Sequence, residues 1–276
     1  MSALPRPSLA RRALGAKLRK LRIDRGETCA QVAEAIGYKY KAIERIEKGQ
    51  QGTKFLQLDG LCAHFAVTDE VRAQLHSLRI RGNERGWWEG YLISGGQEVS
   101  VPSLQVFLEA EQDTVHLRSL EIELIPGLLQ TPAYVRALQE AELPAPEEVR
   151  KLVRDLRRLR RETYFARSEA PKTEFILGSK AIELLDDLDP PERDEQIASL
   201  KSAQARPNVD IYVISRKHAA MAGGFCLFTL PDGLPPIVSI DALDGCRYVE
   251  GAEAVYRYEW AFENVKDRAV PLLEYL

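Results

Sequence analysis

The chain has 276 residues, 45% of them hydrophobic, and a formal net charge of −3, which predicts about two domains with ample material for buried cores. No apolar run approaches the roughly 18 residues of a membrane span, and the arginines near the N-terminal end precede no apolar stretch of signal-peptide length, so a cytoplasmic protein is expected. Cys29, Cys62, Cys226 and Cys246 are too widely spaced for a zinc ribbon, a redox pair or a disulfide framework, and His64, His76, His116 and His218 show no ligand spacing, so no metal and no cofactor are expected.

The charge is unevenly distributed. Residues 1–80 hold 15 Lys/Arg against 8 Asp/Glu, a net of +7, and residues 81–276 hold 23 against 33, a net of −10. A basic head on an acidic remainder fits a nucleic-acid-binding module joined to a part with another task.

In the head, Leu14, Leu18 and Leu21 recur at helical spacing and predict a first helix that ends at Gly26. Thr28 with Gln31 forms a capping-box pair that opens a second helix, with Val32, Ala33 and Ile36 inward. Gly37 supplies a sharp turn, and a third helix is expected from about Lys39 to Lys48, anchored by Ile43 and Ile46. That leaves Tyr40, Lys41, Glu44 and Arg45 outward, as a recognition helix presents base-reading side chains. Arg45 or Lys41 suits guanine, Glu44 the cytosine amino group, and Tyr40 a thymine methyl or a phosphate. Arg19, Lys39, Lys48, Gln50 and Lys54 are the candidate phosphate contacts. The Gly49–Lys54 loop lacks Walker spacing and follows a helix, so it is not read as a nucleotide site. Phe55, Leu58, Leu61, Cys62 and Phe65 predict a fourth helix stripe, and Val71, Leu75 and Leu78 a fifth.

This cassette over residues 14–65 resembles the N-terminal domain of the Xre family of bacterial repressors, in its basic first helix, Thr-led second helix, turn glycine and closing Ile46-Glu47-Lys48-Gly49. It departs from the family pattern at Cys29, where a glutamine is usual, at Lys39, where a Ser or Thr cap is usual, and at Glu44, where a serine is common.

Residues 81–103 form a breaker-rich linker with Gly82, Gly86, Gly90, Gly95, Gly96 and Pro102, interrupted by Trp87 and Trp88, which read as a plug packing linker on body. Beyond it the pattern predicts a helix opened by Ser103, a strand within Ser119–Leu124, and a helix capped by Thr131 with Pro132 at its first position. A long helix from Glu147 to about Arg167 follows, ringed by Arg150, Lys151, Arg154, Arg157, Arg158, Arg160 and Arg161. Its charge is read as solvated or acid-paired, with a second DNA contact as the alternative. Strands are expected at Thr173–Leu177, Val209–Ile214, Phe225–Leu230, Ile237–Ile240 and Arg247–Val249, and helices within Pro190–Ala205 and Glu253–Lys266. Gly223-Gly224 reads as a hairpin turn. Tyr248, Tyr256 and Trp260, with Trp87 and Trp88, are the candidate lining of a ligand or partner pocket, although core packing explains such residues as well. No catalytic arrangement can be assembled from the spacing.

The run Pro126-Gly127-Leu128-Leu129-Gln130-Thr131 with Tyr134 resembles a motif of the C-terminal domain that accompanies Xre-type heads in a bacterial group of antitoxin-like regulators. The expected fold is therefore multidomain: an all-α helix-turn-helix head over residues 1–80, lambda-repressor-like, then the linker, then an α+β regulatory domain over residues 104–276 with a mostly antiparallel or mixed sheet. The expected function is sequence-specific binding of double-stranded DNA by a homodimer, because one such head covers too few base pairs for useful specificity. The resemblance implies that a small partner protein signals to the C-terminal domain. Two alternatives stay open, a small-molecule sensor and an enzyme whose head is vestigial.

Overall fold

The computed structural model describes residues 8–83, 86–88, 91, 93–94, 97–98, 103–231, 234–243 and 245–276. The chain divides into two compact units, Met1–Trp87 and Trp88–Leu276. Gly90, Gly95, Gly96 and Pro102 of the expected linker lie outside the described residues.

The first unit is helical: α1 Leu9–Asp24, α2 Cys29–Ala35, α3 Tyr40–Glu47, α4 Phe55–His64 and α5 Asp69–Asn83. Its core is Leu14 and Leu18 of α1, Val32 of α2, Ile43 and Ile46 of α3, Leu58, Leu61 and Cys62 of α4, and Leu75 and Leu78 of α5, each large apolar side chain contributing about 1.5–3 kcal/mol by burial. Leu21 and Ile36 are only half-buried. Phe55, expected inward, is 54% exposed. It occupies the first helical position of α4, where the chain is still entering the bundle, and stacks on His76 at 4.7 Å instead.

Helix α1 crosses the end of α3 at a glycine. A methyl group on Gly15 would stand 2.4 Å from the Ile46 carbonyl oxygen and 2.5 Å from that of Glu47, so no other residue fits there without separating the helices. Next to this crossing, Arg22 donates to both oxygens of Glu47 at 2.6 and 2.8 Å and to the Glu27 carbonyl at 2.8 Å. The Glu47 of the closing motif is thus a structural clamp between α1 and α3, a two-pronged geometry that only arginine offers a carboxylate.

The second unit contains a short antiparallel pair, β1 Ile93–Ser94 and β2 Gln97–Glu98. The elements after it are α6 Ser103–Asp113, β3 His116–Glu121, α7 Pro132–Ala141, α8 Glu147–Phe165, β4 Lys172–Gly178, α9 Ser179–Glu183 with a 3-10 turn at Leu184–Asp187, and α10 Pro190–Gln204. The rest are β5 Val209–Ile214, β6 Phe225–Thr229, β7 Ile237–Ala242, β8 Gly245–Val249, α11 Ala252–Lys266, β9 Val270–Pro271 and α12 Leu272–Tyr275. The sheet order is β8-β7-β6-β3-β4-β5-β9. Strands β3, β4 and β5 run parallel, and the other pairings are antiparallel. The domain is α+β with a mixed sheet, as expected.

One expectation needs correction. Strands β5 and β6 do not form a hairpin, because β4 and β3 lie between them. Gly223-Gly224 therefore ends a crossover. Gly224 passes so close to β3 that a methyl group there would meet the Leu120 carbonyl oxygen at 2.6 Å and a Glu121 carboxylate oxygen at 2.8 Å. The strand foreseen within Ser119–Leu124 is β3, but it starts earlier and is buried almost throughout instead of alternating. Central strands covered on both faces lose the one-sided polar pattern.

One sheet face packs under α11 with Leu120, Ile176, Phe225, Leu227, Val238, Phe262 and Val265 as its core. Charged side chains on this face form ion pairs. Arg118 donates to Glu259 at 3.2 Å and lies 3.6 Å from Glu263. Glu174 meets His116 at 2.7 Å, Lys172 at 3.3 Å and the Lys266 ammonium. Burial pushes the Glu174 carboxyl up, but hydrogen bonds from His116 and Lys266 and the two lysine charges outweigh it and hold it at about 2. The other face carries Leu117, Phe175 and Phe228, with Phe107 of α6 edge-on to Phe228 at 5.2 Å.

Candidate nucleic-acid interface and a cavity in the second unit

The helix-turn-helix is built from local end signals. Thr28 accepts from the Gln31 amide at 3.3 Å while the Gln31 side chain accepts from the Thr28 N–H at 2.8 Å, closing a capping box at the start of α2. Gly37, with φ +71°, reverses the chain before α3, and Gly49, with φ +71°, ends it. There Gly49 N–H donates to Ile46 and Gln50 N–H to Arg45, a pair of bonds that satisfies the last carbonyls of the helix.

Ile43 and Ile46 are buried and hold α3 to the core. The opposite face carries Tyr40, 52% exposed, together with Lys41, Glu44 and Arg45. The four residues share one surface because positions i, i+1, i+4 and i+5 lie within about 140° around a helix. Glu44 is bonded to Lys48 at 2.6 Å, and that hydrogen bond holds its carboxyl below the usual range. One expected base reader thus neutralises one expected phosphate contact. Arg19, Lys39, Gln50 and Lys54 are exposed. Lys39 occupies the cap position of α3 without a capping side-chain bond, and Lys54 does the same for α4. Cys29 points back to Glu47 at 3.7 Å, and burial pushes its thiol up.

In the second unit, the Pro126–Thr131 segment is a buried wall. Ile125 N–H donates to the Tyr134 hydroxyl at 3.1 Å, the Gln130 amide donates to the Ile125 carbonyl at 2.7 Å, and Thr131 caps α7. Buried Gln196 of α10 clasps the same segment, accepting from Thr131 N–H at 2.8 Å and donating to the Leu129 carbonyl at 2.9 Å. Helix α8 turns its arginines to it. Arg157 donates to the Gln130 side chain at 2.5 Å, and Arg161 to the Gln130 carbonyl at 3.4 Å and Ser199 at 3.0 Å. Arg160 grips Glu111 with two bonds of 2.6 Å and lies over the Phe107 ring at 4.7 Å. The helix is therefore acid- and amide-paired, with Lys151 and Arg158 as its exposed basic residues.

Between this wall and the sheet lies a cavity of about 480 Å³. Leu104, Phe107, Leu128, Leu138, Val153 and Leu156 give it apolar sides, and Ser119, Glu121, Cys226, Asp241 and Cys246 contribute polar groups from the sheet. A smaller recess of about 120 Å³ adjoins, lined by Glu121, Gly224, Phe225, Cys226, Ser239 and Asp241. Burial and the nearby Asp241 charge push the Glu121 carboxyl up to about 8. The Cys226 thiol is pushed up by burial, and Cys246 by burial and Asp241 to about 11, so both stay protonated near neutrality.

Of the aromatic residues proposed from sequence for a pocket, those of the second unit are not brought together. Tyr256 and Trp260 are 64% and 55% exposed on α11, which covers the other sheet face. Tyr248 is not among the cavity's lining residues and is hydrogen-bonded to Cys246 and Ser239. Trp88 is buried and does not line the cavity, and Trp87, in the first unit, is half-buried. The acids on the sheet side of it escaped sequence reading. Glu121 stood within the Ser119–Leu124 run with no role assigned to it, and Gly224 read as part of a hairpin turn.

Residues 104–274 match the family model described as a domain of unknown function (DUF5753), and residues 13–75 match one described as a helix-turn-helix domain. Among solved structures, the clp gene regulator ClgR from Corynebacterium glutamicum is similar at 27% identity over 27% of this chain and 76% of that one, with a TM-score of 0.24. No curated protein matches the chain.

Proposed function

This chain belongs to the DUF5753 family and carries a helix-turn-helix domain, and from that premise we propose that it is a sequence-specific DNA-binding transcriptional regulator of the Xre type. It acts as a homodimer, and its second unit receives the signal that sets operator affinity. The observation that carries this reading is the outer face of α3, where Tyr40, Lys41, Glu44 and Arg45 stand clear of the core on a unit rich in positive charge. Phosphate contacts from Arg19, Lys39, Lys48, Gln50 and Lys54 supply affinity, and the α3 face supplies sequence preference.

The resemblance of the second unit to antitoxin-like regulators makes a small partner protein one source of the signal. The cavity of about 480 Å³ supports a second source, a small molecule, since its size falls in the range of about 300–1,000 Å³ typical of ligand pockets. Titration of the full chain with genomic fragments at low ionic strength tests the DNA reading. Salt-sensitive, saturable association with a subset of fragments is expected, and no association at any salt concentration overturns it. The dimer is checked by sedimentation of the complex, which must contain two chains per operator.

A further inference from the structure

The residues lining the larger cavity include four acids, Glu111, Glu121, Glu142 and Asp241, against two arginines, Arg157 and Arg160, a net of −2 with every group ionised. The arginines are already engaged, Arg160 by Glu111 and Arg157 by Gln130. Glu121 is not. Its side chain is largely buried, lines both cavities, feels the Arg160 charge, and makes no hydrogen bond or ion pair among the described residues. Asp241, on β7 and exposed to solvent, lines the same two cavities from the far side of Gly224 and accepts from the Cys246 thiol at 3.2 Å. Because Gly224 has no side chain, the space between the two acids stays open. A methyl group there would press on Glu121 at 2.8 Å.

Glu121, largely buried, and Asp241, at the exposed end of the gap, have no cation bonded between them, and the Arg160 charge, committed to Glu111, acts on Glu121 less than that of Asp241. Among the described residues no set of three or more His, Cys, Asp or Glu could hold a metal ion, and the adjoining walls are leucine and phenylalanine. We propose that this cavity binds a small organic amine, its protonated nitrogen seated between Glu121 and Asp241 and its apolar remainder lying along Leu104, Phe107, Leu128 and Leu156. The elevated proton affinity of Glu121 agrees with an acid that lacks a cation. This inference rests on the reading of the second unit as the signal-receiving part, and it names the class of signal.

The test uses the full chain and a fixed panel: 2-phenylethylamine, tryptamine and octylamine, each beside the alcohol and the carboxylic acid of the same body. Calorimetry and thermal melting at neutral pH should show binding by at least one amine and none by its alcohol or acid. Glu121→Gln and Asp241→Asn should each weaken that amine by about tenfold or more, while Glu123→Gln, an exposed acid nearby, leaves it unchanged. The wild-type comparison of amine with alcohol holds whether or not the variants fold. Preference for the acids, equal binding of amine and alcohol, or no amine binding across the panel overturns the site. An amine that binds wild type, loses affinity in both variants and yet leaves affinity for a selected operator fragment unchanged upholds the site and overturns the sensor reading.

Discussion

Two cationic helices, α1 in the first unit and α8 in the second, look alike in sequence and behave oppositely. In α1, Arg19 and Lys20 are exposed while Arg22 is committed to an internal clamp on Glu47. In α8, Arg154, Arg157, Arg160 and Arg161 are all bonded to Glu147, Gln130, Glu111 and Ser199. The difference lies in the supply of acceptors. The first unit has more basic than acidic residues, so some cations must face water. The second has an acidic excess that can be folded against its arginines. A run of arginines therefore marks a nucleic-acid surface only where the surrounding domain cannot neutralise it.

The largest expected effect breaks the inward pairing. Glu111→Ala leaves Arg160 buried without its partner and should destabilise the second unit by about 3–5 kcal/mol. Denaturant unfolding followed by near-ultraviolet dichroism and by head-specific DNA binding should show the second unit melting early and the first unchanged. A single unshifted transition would contradict the structural role given to this pair.

Glu121 provides a pH test of the same buried environment. Its folded proton affinity, near 8, lies above the ordinary carboxyl value of 4.5, so the folded state holds the proton more tightly. Stability from this group is complete below about 4.5 and is lost as pH rises through 8. Glu121→Gln cannot ionise. It should match wild type below about pH 4.5 and be more stable above pH 8, by on the order of 5 kcal/mol. Parallel melting curves across that window would remove the claim that the carboxyl is enclosed.

On the outward side, Arg45→Ala should cost about 1–3 kcal/mol of discrimination at one base position. Lys54→Ala should weaken all sequences alike and lower the salt slope by about one. The exposed α8 residues sharpen the contrast, since Arg158→Ala should change neither quantity. A lower salt slope for Arg158→Ala would make α8 a second DNA surface.

The smallest effect concerns a helix end. Ala66 follows α4 in the left-handed conformation, with φ 50° and the same closing bonds that Gly49 makes after α3. Ala66→Gly should stabilise the first unit by about 0.5–1 kcal/mol, the strain relieved exceeding the added freedom of the unfolded chain. Chemical denaturation of the isolated first transition measures it.

Much of the first unit was legible because its determinants are near neighbours. Thr28 with Gln31, Gly37 before α3, and Ile43 with Ile46 each act within a few residues, and a helix period assigns faces without reference to anything distant. Even there Phe55 was misplaced, since whether the first turn of a helix meets the core depends on where the bundle puts it. In the second unit the caps and most strands were equally readable, including Thr131 before Pro132. The strand neighbours were not. Nothing in Phe225–Leu230 says that it pairs with β3, a hundred residues earlier, instead of the nearer β5.

The amino-acid order alone established a helical, cationic head with Tyr40, Lys41, Glu44 and Arg45 on an outer face, and an acidic α+β remainder, because periodicity, capping and net charge are local or additive. Only the tertiary structure decided that α8 turns its arginines inward, that Gly224 leaves a gap, and that Glu111, Glu121, Arg157 and Asp241 share one cavity. Those four residues come from four separate elements, and what brings them together is the sheet order and the need of each buried charge for a partner, neither of which is written in any one stretch of chain.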